Sequence, residues 1–174
     1  MKMGRGGAAS SVAVEARGTY VEKTPKVHVQ RSAALICAYL AGDEEGCGIL
    51  RDESELSYRQ WYESAIVLGA SVMALLALCR EQDSVDLVCN FEPDRHEIFP
   101  GERDPMEALA VLLFYHLHRE VLDYGDVVVV DVVPSLFDIA VSGIEELALW
   151  GSKPAIEIAR VLTLGAAKYE RRVW

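Results

Sequence analysis

Glu92, Asp94, His96 and Glu97 fall within six residues of one another, and their side chains are of the types that move protons or hold divalent cations. Carboxylates beside an imidazole can ligate a metal or share acid–base work near neutral pH. The same residues also populate any solvated loop, and no second motif elsewhere in the chain completes a set. His116 and His118 make a His-x-His pair. On a helix two-residue spacing separates them by about 200°, so one metal cannot take both; one is expected to face inward and the other solvent. Asp126 and Asp131 bracket a valine run, and acids at opposite ends of a strand lie too far apart to act together. Cys37, Cys47, Cys79 and Cys89 show no C-x-x-C spacing, the usual announcement of zinc. Cys37 and Cys79 sit in apolar segments, so buried free thiols are expected, in keeping with a reducing compartment.

The common phosphate and nucleophile signatures are missing. No G-x-x-x-x-G-K-[ST] loop and no G-x-G-x-x-G turn follows an apolar strand-like run, and Gly4-Arg5-Gly6-Gly7 has no strand before it. There is no G-x-S-x-G elbow. The helical nucleotide pyrophosphatases bind magnesium through paired E-x-x-E motifs; Glu120-x-x-Asp123 is the nearest approach here. The expectation is therefore no catalytic residue, no metal and no cofactor. Net charge is −10, from 27 acidic against 17 basic residues, which disfavours wholesale binding to nucleic acid or an anionic membrane. Arg160, Lys168, Arg171 and Arg172 nevertheless gather near the C-terminus. They either complement a helix dipole or form a local patch for a nucleic-acid backbone.

These residues need a scaffold. A chain of 174 residues with 51 % hydrophobic and 25 % charged residues fits one globular domain. Residues 1–18 read as a frayed Gly/Ala/Ser-rich tail without the apolar core of a secretory signal, and 19–174 as a single domain. Strands are expected at Val12–Val14, at Lys26–Gln30 with Val27 and Val29 on one face, at Gly48–Leu50, at Val85–Cys89 and at Asp126–Val133. The last is β-branched throughout and bounded by Gly125 and Pro134. Helices are expected at Ser32–Leu40, from Ser57 to about Arg80, from Asp104 to about residue 122, from Ser135 to about Trp150, and from Ser152/Pro154 onward.

Ser57-x-x-Gln60 has the form of a capping box. Asp104-Pro105 puts an N-cap acceptor before a proline at the first helical position, and Met106, Leu109, Leu113 and Leu117 share one apolar face behind it. The run Ala65–Cys79 is about 15 residues, short of the roughly 20 a membrane span requires, and reads as a buried core helix. The fold class that follows is mixed α/β: a small central sheet of four to five strands with helices packed on it. Residues 85–89, 105–122 and 127–133 would form one crossover unit.

Gly101-Glu102-Arg103-Asp104-Pro105-Met106-Glu107-Ala108-Leu109 resembles the G-x-R-x-x-x-x-A-[IL] segment of the Cgi-type subunit of the KEOPS complex, the PRPK-binding protein family. The order of elements is similar over residues 26–174: a short strand and an Ala-rich helix before the segment, a hydrophobic strand and a further helix after it. The chain departs from the pattern at Pro93 and Pro100, where the family carries an apolar helix, and at Asp104-Pro105, where it favours an amide and an isoleucine. The resemblance implies a cytoplasmic, non-catalytic accessory subunit that binds the kinase-like ATPase subunit of the complex. It also implies a part in holding tRNA for threonylcarbamoyl modification of adenosine. Gly101, Arg103, Glu107 and Ala108 would then shape the partner surface, and the basic cluster at Arg160, Lys168, Arg171 and Arg172 would meet tRNA. Two other classes stay open: a small nucleotide- or RNA-processing enzyme using the 92–97 acids, and a self-associating structural or regulatory protein using apolar residues of the last two helices.

Overall fold

A computed structural model of the chain describes residues 27–53, 55–118 and 132–172. Seven helices and no strand occur among them: α1 Val27–Leu40, α2 Glu44–Asp52, α3 Tyr58–Arg80, α4 Ser84–Cys89, α5 Pro105–His118, α6 Val133–Gly151 and α7 Ala155–Arg172. The described fold is all-helical, and the expected α/β class with its four- to five-stranded sheet is overturned. The crossover unit goes with it. The expected tail at 1–18, the strand at 12–14 and the valine run from Asp126 to Asp131 lie outside the described residues. Val133, expected to end that run, begins α6.

Three expected strands are helices for local reasons. Val27 and Val29 open α1, where Val29, Ala33 and Ile36 supply one inward face at i, i+4 and i+7. Gly48–Leu50 belongs to α2, which starts at Asp43, whose carboxylate accepts the Gly46 N–H at 2.8 Å. Glu44 and Glu45 occupy the first turn of that helix and favour its positive dipole end. Val85–Cys89 belongs to α4, where Asp83 accepts the N–H groups of Val85 and Asp86 at 2.8 and 3.3 Å. In α2 and α4 a side-chain cap satisfies orphan amides that a strand would have offered to a neighbour.

The helix expected from Ser57 is present without interruption. Ser57 Oγ accepts the Gln60 N–H at 3.3 Å while Gln60 Oε1 accepts the Ser57 N–H at 2.8 Å, a complete capping box. Not all of its circumference is buried. Leu76 is fully enclosed, but Leu75 is 42 % and Leu78 75 % exposed, so the helix is central on one side and wet on the other. By length and composition α3 could cross a membrane, yet 56 % of its apolar window is buried inside the fold.

The most enclosed element is α6, whose residues from Val133 to Ile144 are all buried. It runs parallel to α3: Trp61 meets Phe137 with ring centroids 6.0 Å apart, Val72 and Met73 meet Gly143, and Arg80 pairs with Glu146. A Cβ on Gly143 would stand 2.4 Å from Val72 Cγ1 and 2.7 Å from Met73 Cε, so this glycine sets how closely the two helices approach. Phe99 stacks on Phe137 at 5.4 Å, closing an aromatic cluster with Trp61. A buried hydroxyl pair, Ser32 and Ser64 at 2.6 Å, ties α1 to α3, and α7 returns to cover α1.

Three further expectations are corrected. Ser135 does not cap α6, which begins at Val133 with no side-chain cap; Ser135 is buried and turned to another partner. The inward face of α5 is Ala108, Leu109, Val111 and Leu112, whereas Met106 and Leu117 are 75 % and 61 % exposed. Cys79 and Cys89 are exposed, Cys37 is half-buried and only Cys47 is buried, so the expected burial of Cys79 is also overturned.

Candidate functional site

Residues 90–104 form the loop anticipated from Pro93, Pro100 and Gly101, and α6 pins it along one stripe. Ser135, Asp138 and Ser142 stand at i, i+3 and i+7, on one face of an otherwise apolar helix. Ser135 Oγ accepts the Asp104 N–H at 2.8 Å. Asp138 Oδ1 accepts the His96 N–H at 3.0 Å, and Ser142 Oγ accepts the Asp94 N–H at 2.9 Å. The loop therefore lies antiparallel to α6 over this stretch, with three of its amides satisfied by buried side chains.

Arg103 completes this network. Its Nε donates to Asp138 Oδ2 at 2.9 Å, Nη1 to the Gly101 carbonyl and Nη2 to the His96 carbonyl. The side chains of the ion pair are 13 % and 4 % exposed. The carboxylate partner of Arg103 is thus Asp138, from a different helix, and not one of the acids of its own loop such as Glu92 or Glu97. Asp104 does cap α5 as its sequence suggests, accepting the Glu107 N–H at 2.9 Å. Gly101 takes φ +134, a backbone conformation that L side chains rarely adopt.

The other residues of the Gly-x-Arg segment are divided between surface and interior. Gly101 and Glu107 are exposed, while Ala108 is buried against the core. The segment thus exposes Gly101, Glu102 and Glu107, and holds Arg103 and Ala108 inward.

His96 is the nearest thing to a catalytic group. Its Nε2 lies 3.2 Å from Ser142 Oγ and 3.6 Å from Glu145 Oε2, and its Nδ1 lies 3.4 Å from the Tyr39 hydroxyl. A serine beside an imidazole is the geometry of an activated nucleophile. Here Ser142 is 5 % exposed and already accepts the Asp94 amide. The arrangement fastens a loop. The loop acids Glu92, Asp94 and Glu97 point to solvent, and no group of three His, Cys, Asp or Glu side chains among the described residues could hold a metal ion. His116 is half-buried and His118 exposed, as their spacing requires.

On α7, Arg160 and Lys168 are exposed, and the side chains of Arg171 and Arg172 lie outside the described set. Between the two described cations stand Val161 and Leu164, each 66 % exposed. At the end of α6, Leu149 and Trp150 are 81 % and 58 % exposed. The Ser135/Asp138/Ser142 stripe could have been found in the sequence as the polar minority of an apolar helix at 3–4 spacing. That apolar residues of the last two helices could serve an interface was legible; which of them face outward was not, because the same residue types fill the core.

No family model matches the chain, and neither a curated protein nor a solved structure matches it.

Proposed function

We propose that this chain is a non-catalytic helical subunit whose role is to bind another protein. The observation that carries the reading is the exposed pair Leu149–Trp150, where α6 ends at a left-handed Ser152. Tryptophan dominates binding hot spots because it brings a large rigid area at small entropic cost. Leu75 and Leu78 lie toward the same end of the parallel α3–α6 pair, so two helices offer exposed apolar side chains near that end. His96, Asp138 and Ser142 are engaged in holding the 90–104 loop, which supports a binding role over an enzymatic one.

Membership of the KEOPS complex, with the kinase-like ATPase subunit as partner and tRNA as ligand, is a narrower form of this reading. Its support is the Gly101–Leu109 segment alone, since the strand expected before it at Gly48–Leu50 is helical and the valine run expected after it lies outside the described residues. Affinity capture with the full chain, compared with its Leu149→Asp/Trp150→Ala variant, tests both forms. A protein retained by the first and lost from the second supports the binding role, and a kinase-like ATPase subunit in that position supports the narrower one. Equal retention by both chains removes the Leu149–Trp150 surface from consideration.

A further inference from the structure

The last helix carries two faces of different character. Its inner face is Ala159 and Ala166, both buried, with Ala155, Ile158 and Leu162 partly buried against the core. Its outer face is a stripe of four exposed residues, Glu157, Val161, Leu164 and Lys168, spaced by four, three and four. At about 100° per residue these four fall within a 60° sector of the helix surface. An apolar pair in the middle, an acid at one end and a base at the other is the pattern of a helix that packs on another helix.

We propose that this face is where two copies of the chain pair, α7 against α7, antiparallel about a two-fold axis between Val161 and Leu164. In that register Val161 of each copy meets Leu164 of the other, and Glu157 of each meets Lys168 of the other. One operation satisfies both the apolar and the charged contacts, as an isologous interface requires. Arg160 and Gly165 flank the stripe on opposite sides, at the edges of the seam. A parallel pairing would set Glu157 against Glu157 and Lys168 against Lys168, and like charges across a seam select against it. An RNA backbone is the less suited occupant. Val161 and Leu164 separate the two cations, and Glu157 would face the phosphates. The contact is a single helix pair, smaller than a standard interface, so the dimer is weak and concentration-dependent.

The full chain examined by sedimentation equilibrium over a wide concentration range should shift from monomer to dimer. Leu164→Asp should abolish the shift while leaving the far-ultraviolet spectrum unchanged, since Leu164 faces solvent in the monomer. Glu157→Lys and Lys168→Glu should each weaken the dimer severalfold, and the double exchange should restore it. Restoration is the decisive result, because a merely sticky surface has no reason to recover.

A monomer up to millimolar concentration overturns the proposal, as does a dimer indifferent to Leu164→Asp. So does a double exchange no better than the single ones. Appearance of a dimer only after removal of residues 2–24 would show that the chain's own N-terminal segment covers the stripe. Binding of a short RNA lost in Arg160→Ala/Lys168→Ala, with no oligomeric change at any concentration, would assign the face to nucleic acid instead. The Leu149–Trp150 reading stands or falls separately: its double variant should leave the α7 dimer intact.

Discussion

Arg103 and Asp138 form an ion pair with little access to water, and burial of this kind is tolerated only when hydrogen bonds replace the lost hydration. Here they do: the guanidinium reaches two carbonyls besides the carboxylate, and the carboxylate takes an amide besides the guanidinium. Asp138→Ala should therefore cost about 3–5 kcal/mol in urea denaturation, because it strands a charged arginine as well as the His96 amide. Asp138→Asn keeps one acceptor and should cost less. The need for a partner was legible in the sequence, since an arginine beside a helix start has no use for the positive dipole end. Its identity was not: Asp138 is 35 residues away, inside an apolar helix. At the same scale the cysteines separate by environment. Burial pushes the Cys47 thiol up, against the pull of nearby Arg51 and with Asp43 and Glu44 adding to the rise. A thiol reagent at neutral pH should label exposed Cys79 and Cys89 first and Cys47 last, read by peptide mass mapping; early labelling of Cys47 would mean that α2 opens readily.

Elements read best where a cap announced them and worst where a short apolar run stood alone. Ser57-x-x-Gln60 and Asp104-Pro105 placed two helix starts to within a residue, because capping is a local bargain between a side chain and orphan amides. Val27-His28-Val29 and Val85-Asp86-Leu87 alternate as a strand does, yet three residues cannot distinguish a period of two from one of 3.6. The Asp43 cap before Gly48–Leu50 and the Asp83 cap before Val85–Cys89 were the overlooked signals. Packing of α3 on α6 supplies an element-scale test. Gly143→Ala adds one methyl against Val72, a β-branched side chain with no free rotamer, and against Met73, whose flexible end can yield. Thermal or urea unfolding should show a loss of about 1–3 kcal/mol, as overpacking of a filled core does. Gly165→Ala, which meets nothing within 4 Å, is the control and should leave the monomer as stable or slightly more so.

At the scale of the whole molecule, composition announced a globular chain and left its class undecided, since helices and sheets draw their cores from the same residues. What distinguishes this fold is that α1 and α7, the first and last described helices, pack extensively on each other. The inner face of α7 is thus committed to the monomer while its outer stripe is open to a second copy. Anything that binds only the folded state stabilises it by mass action, so a chain that pairs through α7 becomes more stable as it is concentrated. Each tenfold rise in concentration above the dissociation constant should add about 1.4 kcal/mol per dimer, visible as a rising melting temperature. Leu164→Asp should flatten that rise and leave the melting temperature of the dilute protein where it was. A uniform drop at every concentration would have a different cause, with Leu164 supporting the α1–α7 packing from within, and the outer face would no longer be a separate surface.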